Sequence, residues 1–173
     1  IVMWGIVPKP AGGTRATKQA RELWHGDPKK TGKRGWANTT ACDYDGRHTY
    51  YGLQRLVAET VAESGAALVR RHWRPIGYEG LPIPLQLQVL EPDFIDLRKD
   101  GIQGTHGGPI IQGIEFDGRG KRVGYWLYDN HPGAMGQGPR YSTQSRFVPA
   151  SDIIHVYRVD RPGQVHGVSW LAP

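Results

Sequence analysis

Apolar residues recur along this chain with two different periods, and the change from one to the other comes at Gly65. Ala16, Ala20, Leu23 and Trp24 fall at i, i+4, i+7 and i+8, which predicts an amphipathic helix from Thr14 to Trp24. Thr14 can cap its start, while Gly26 and Pro28 stop it, because Gly accepts the left-handed conformation and Pro cannot continue the ladder. Helical spacing returns from Thr49 to Ser64, with Leu53, Leu56, Val57, Thr60 and Val61 on one stripe, and Gly65 ends this second helix.

Beyond Gly65 the period is two. Ala67, Val69 and Trp73 line one side of a predicted strand over Ala66 to Trp73, and Leu85, Leu87 and Val89 alternate with Gln86 and Gln88 in a one-sided strand. Pro82 and Pro84 precede that strand, where a missing amide donor does little harm. Ile110 to Phe116 and Arg122 to Tyr128 flank Asp117, Gly118, Arg119 and Gly120, a composition that closes a hairpin. A last strand is expected over Asp152 to Arg158, with Ile154 and Val156 inward or in the reverse register. Asp27 to Asp45 and Asn130 to Phe147 show no period and read as long exposed loops.

The expected class is α+β: two N-terminal helices, then about five mostly antiparallel strands forming a small curled sheet or partial barrel. Residues 1–65 make a helical part with a basic loop and residues 66–173 a β-rich part, together one compact unit. The 24 Gly and 13 Pro argue for many turns and short elements rather than long bundles. No apolar run is long enough to span a bilayer, so a soluble protein without a membrane partner is expected. Because the sequence opens on Ile1 and stops at Ala172 and Pro173 without a closing element, a fragment of a longer chain is expected.

Cys42 is the single cysteine, which excludes an intrachain disulfide and a Cys-based zinc cluster and suits a reducing compartment. With 22 Lys plus Arg against 16 Asp plus Glu, the chain carries +6, which favours encounters with polyanions. Lys29, Lys30, Lys33 and Arg34 beside Trp36 are the candidate nucleic-acid contacts, as are Arg70, Arg71, His72 and Arg74, but a solvated basic surface accounts for them more simply. Six Trp and eight Tyr are a heavy aromatic load that mildly favours assembly into an oligomer.

Asp43, Asp45 and His48 imitate the opening of a calcium loop, yet Arg47 follows Gly46 and the distal Glu is missing, so an Asp turn bonding nearby amides is expected. Glu91, Asp93 and Asp96 lie close together, but a turn at Pro92 accounts for them better than a catalytic pair. Neither a nucleophile elbow, a zincin helix nor a phosphate loop is present. No catalytic residue, cofactor or metal is expected.

Several stretches, in order, resemble the lambda family of phage portal proteins. GIVP at Gly5 to Pro8, ACDYDGRHTYYGLQRLV at Ala41 to Val57 and AESGAALVR at Ala62 to Arg70 are similar to its early segments. LQLQVLEPDFID, GIEFDGRGKRVGYWLYDNHPG and VPASDIIHVYRVDRPGQVHGVSWLAP resemble it more strongly. Within them Glu91, Pro92, Asp93, Arg161, Pro162, Gly163, Gly167 and Trp170 stand as motif positions, where Pro and Gly set turns and the acids and Arg form structural or inter-subunit pairs.

The resemblance implies a non-enzymatic structural subunit. In that family a homo-oligomeric ring, typically of twelve, sits at one capsid vertex in the virion after assembling in the host bacterial cytoplasm. Duplex DNA passes through it without sequence readout, the terminase docks on it, and head-completion or tail connector proteins and the capsid protein are its other partners. This chain would hold mainly the wing and adjoining helices, with stem and clip beyond Pro173. The alternatives are a free basic nucleic-acid-binding module and, third, a hydrolase using Cys42 or the acidic turn.

Overall fold

The computed structural model describes residues 14–27, 33–133 and 144–172, the side chains of residues 14–17 and 33 excepted. Helix α1 spans Thr14–His25 and α2 spans Tyr50–Ser64. The strands are β1 (Gly26–Asp27), β2 (Lys33–Arg34), β3 (Ala66–Trp73), β4 (Leu85–Leu90), β5 (Ile102–Gln103), β6 (Gly107–Ile111), β7 (Ile114–Asp117), β8 (Arg122–Tyr128), β9 (Ser145–Pro149) and β10 (Ile153–Tyr157). They form a two-residue ladder β1-β2, a three-stranded sheet in the order β10-β3-β4 and a five-stranded sheet in the order β5-β6-β7-β8-β9. The α+β class and both helices match the sequence pattern.

The expected curled sheet or partial barrel is not what forms. Among the described residues both larger sheets are open, and β5 and β9 each pair on one side only. A strand as short as β5, two residues long, offers too few ladder bonds to close a barrel. The single strand expected over Ile110 to Phe116 is two strands, β6 and β7, because Gln112 and Gly113 turn through positive φ (49° and 76°). Gly113 has no alternative there, since a Cβ would press on Ile95 and on the Asp96 backbone. Ser145 to Phe147, expected in a loop, lie in β9, and the reverse register holds in β10: Ile153 is buried and Ile154 is 47% exposed.

Two compact units divide the described residues. One is drawn from residues up to 55 and from 72–88. Its core corrects the expectation of an exposed loop over Asp27 to Asp45, since Trp36, Ala37, Cys42 and Asp43 are all buried. Trp36 packs between Trp24 and Tyr50, at ring separations of 4.8 and 5.7 Å, and its indole N–H donates to the Leu85 carbonyl at 2.7 Å. A buried ring of that size contributes on the order of 2 kcal/mol or more by leaving water, which outweighs the polar character of its Gly- and Lys-rich neighbourhood.

The other unit comprises 56–71 and 89 onward. Its core joins Leu68, Leu90, Ile95, Ile114, Phe116, Tyr125, Leu127, Val148 and Ile153. The β7-β8 hairpin closes through Asp117, whose carboxylate accepts the amides of Arg119 and Lys121 at 2.8 Å each, the connection that Asp-Gly-Arg-Gly predicts. Register shifts interrupt the ladder at Gly107/Ile110 and at Glu115/Phe116.

Candidate functional site

The motif after β10 folds as a clasp around one side chain, Gln164. Its Oε1 accepts the amides of Asp160 (2.7 Å) and Arg161 (3.3 Å), and its Nε2 donates to the carbonyls of His166 (2.6 Å) and Arg158 (3.4 Å). The turn Arg161-Pro162-Gly163-Gln164 closes with the Gln164 amide donating to the Arg161 carbonyl at 3.3 Å. Gly163 sits at φ 78°, so Pro followed by Gly fits the first and second central positions of a type II turn. Sequence reasoning found Pro162 and Gly163 but missed Gln164, because nothing in residue spacing marks a Gln that bonds to its own loop.

Strands then hold the clasp in place. Arg122 on β8 donates to the Tyr157 hydroxyl and to the Val165 carbonyl, the latter at 3.1 Å, and Tyr157 donates to the Gln164 carbonyl at 3.1 Å. Beyond it the chain crosses the end of α2, where Ser169 Oγ (3.4 Å) and the Trp170 amide (3.1 Å) both donate to the Ala62 carbonyl. That carbonyl belongs to the last turn of a helix and would otherwise lack a partner.

Arg158, Arg161, Gln164, Val168, Ser169 and Trp170 line a surface cleft of about 300 Å³. Arg158 pairs with Asp160 at 2.7 Å and lies over the Trp170 ring at 5.7 Å, while Trp170 itself remains 49% exposed. Arg161, Pro162 and Gly163 are exposed.

The acidic turn after β4 is a single 3-10 turn, Pro92–Phe94, with the amides of Phe94 and Ile95 donating to the carbonyls of Glu91 (3.2 Å) and Pro92 (2.9 Å). Glu91 and Asp93 are exposed, and Glu91 reaches His131 at 3.4 Å. Glu91, Asp93 and His131 could offer ligand atoms within 4.8 Å of one another, an arrangement common among exposed acids with no ion. Asp96 is a different case, being buried and taking bonds from Tyr128 (2.6 Å), Ser145 (2.6 Å) and Arg98 (3.0 Å). Burial pushes its carboxyl up, but the bonds from Arg98, Ser145 and Tyr128 prevail and hold it well below the usual carboxylate range.

A second buried carboxylate, Glu115 on β7, was not singled out by sequence. It accepts from Thr105 Oγ1 (3.0 Å), the His106 amide (3.0 Å), His106 Nδ1 (2.8 Å) and Trp126 Nε1 (3.1 Å). Burial raises its pKa, and the His106 and Thr105 bonds more than reverse that, so it stays ionised.

Asp43, Cys42, His72 and Arg74 are each held in a local network. Asp43 is buried and its carboxylate is taken by the amides of Asp45 (3.2 Å), Arg47 (2.9 Å) and His48 (2.8 Å), the Asp turn expected from sequence. Cys42 donates to the Thr39 carbonyl at 3.2 Å, and burial with the neighbouring Asp43 charge pushes its thiol up to about 12. A thiol held there supplies almost no nucleophilic thiolate. Arg74 is bonded to Gln86 at 2.8 Å and lies over Tyr44 and Tyr78, and His72 stacks on Tyr44 at 4.2 Å. Arg34 is exposed, while Lys29, Lys30, the Lys33 side chain and the GIVP segment lie outside what the structure describes. No described helix is long and apolar enough to cross a membrane.

Over 138 residues the chain is 28% identical to a "Probable portal protein" of Halomonas phage phiHAP-1, covering 78% of this chain and 25% of that protein. The chain thus spans a quarter of the length of the curated relative it matches. Residues 1–173 match the family described as "Phage portal protein, lambda family", and this chain belongs to that family.

Proposed function

We propose that this chain is the wing-containing part of a portal subunit whose work is architectural. Copies of the full polypeptide build a closed ring, typically of twelve, at one vertex of the capsid. The ring forms the sleeve through which duplex DNA enters during packaging and leaves at ejection, without sequence readout. It also serves as the platform for the terminase, for head-completion or tail connector proteins and for the surrounding capsid protein. Assembly takes place in the host bacterial cytoplasm and the finished ring resides in the virion. Residues 66–173 form the wing-like part.

The observation that carries this reading is the family match across the whole chain. The chemistry agrees with it: the Asp43 and Asp96 carboxylates are taken up by hydrogen bonds, and the Cys42 thiol is protonated. Electron microscopy of the full-length product tests the proposal. Rings with a central hole are expected, and dispersed monomers at assembly concentrations would overturn it.

A further inference from the structure

The unit of residues 56–71 and 89 onward, which holds Glu91 to Asp93 and Arg161 to Trp170, presents an acidic and a basic surface, both built on short turns. The acidic turn offers the exposed carboxylates of Glu91 and Asp93 on either side of Pro92. The cleft behind the clasp offers Arg158 and Arg161, with Asp160 also in its lining, beside the half-exposed Trp170, and so keeps one net positive charge. Within each surface one charge is already committed, since Glu91 lies near His131 and Arg158 is paired with Asp160. Among the described residues neither Asp93 nor Arg161 makes an ion pair within 4.0 Å, although Asp93 lies within 4.8 Å of His131.

We infer that the acidic turn Glu91-Pro92-Asp93 of one copy seats in the Arg158, Arg161 and Trp170 cleft of the next, with Asp93 against Arg161 and Pro92 on the Trp170 ring. This rests on the ring reading and names a contact within it. A Trp flanked by two Arg is the side-chain set that dominates binding energy in protein interfaces. A carboxylate brought against a guanidinium supplies the charge-assisted bond that fixes register. Because the turn and the cleft are different patches, the contact joins head to tail, and repeating one rotation closes such contacts into a ring.

The test uses the full-length product, with Arg161→Glu, Asp93→Arg and the two combined, each read by the fraction assembled into rings. Both sites are exposed turn positions, so unchanged melting curves certify the fold. Each single reversal is expected to lower the ring fraction at least fivefold, and the combined reversal to restore it to within twofold of the parent. In parallel, Asp93→Cys with Arg161→Cys is oxidised and run on a denaturing gel; the native Cys42 is buried and does not compete. A ladder extending past the dimer, with no cross-link in either single-cysteine variant, supports the inference, because like-to-like bonds would already join the single-cysteine variants into dimers. Intact rings in both single variants, or cross-linking that stops at the dimer or is absent from assembled rings, overturn it while leaving the ring reading in place. A parent protein that forms no rings overturns both.

Discussion

Gly65 and Gly167 lie against each other so closely that neither can carry a side chain. A Cβ on Gly167 would collide with the Gly65 carbonyl, and a Cβ on Gly65 would collide with the backbone at Val168 and Ser169. Gly65 also sits at φ 84°, the left-handed position that ends α2. Gly167→Ala should therefore destabilise the protein by about 1–3 kcal/mol through overpacking. Gly163→Ala, with nothing within 4 Å but φ 78°, should cost only about 1 kcal/mol. Chemical unfolding of both variants checks the order, and equal costs would contradict the close crossing.

Glu115 is fully buried and accepts four hydrogen bonds. Glu115→Leu strands all four donors and is expected to cost about 3–5 kcal/mol, whereas Glu115→Gln keeps an acceptor and should cost about half as much. Its pKa in the folded state lies below the unfolded value, so the stabilisation is complete above the ordinary Glu pKa and is lost as pH falls through the folded one. The gap between wild type and Glu115→Gln should accordingly narrow in strong acid. Urea titrations at neutral and acidic pH measure it.

Both helices were legible because a 3.6-residue stripe of apolar side chains fits few alternatives to a helix, and the Asp-Gly-Arg-Gly connection was legible because its chemistry fits a tight turn. The start of β6, Gly107-Gly108-Pro109, was hidden because neither glycines nor proline show an alternation, while Ile110 and Ile111 fell within the expected strand. Trp36 was assigned to solvent because its neighbours are Lys and Gly, and only the approach of Trp24, Tyr50 and Leu85 makes it core. At the candidate site, Pro162, Gly163 and Gly167 were visible as motif positions. Gln164 and Glu115 were not, because their partners come together only on folding.

His155 on β10 sits among Tyr125, Tyr157 and His166, with Arg122 Nη1 at 3.3 Å from its Nδ1. Burial first, then the charges of His166 and Arg122, push its pKa down to about 3. The folded protein therefore binds this proton less readily than the unfolded chain does. Stability should be unaffected above about pH 6.5 and should fall as pH drops from there toward 3, by about 1.4 kcal/mol per unit at full slope. His166, lowered in the same direction by burial, adds to the fall. Melting temperatures between pH 7 and pH 4 measure it, and His155→Phe should flatten most of the slope.

Cys42 should resist alkylation in the native state, since its thiol is buried and its pKa is raised to about 12. Iodoacetamide at neutral pH is expected to leave it unmodified for hours and to label it once denaturant is added. Mass spectrometry of the intact chain gives the answer directly.

Each strand of the five-stranded sheet pairs with the strand next to it along the chain, and all four pairings are antiparallel. The partnership of β10 with β3 instead brings Ile153 to Arg70 from far along the polypeptide. Pairings of the first kind lose little chain entropy before their ladder bonds begin to reward them, while the second must close a long loop first. The β6-β7 and β7-β8 pairings, joined by only residues 112–113 and 118–121, can thus form well before β10 reaches β3.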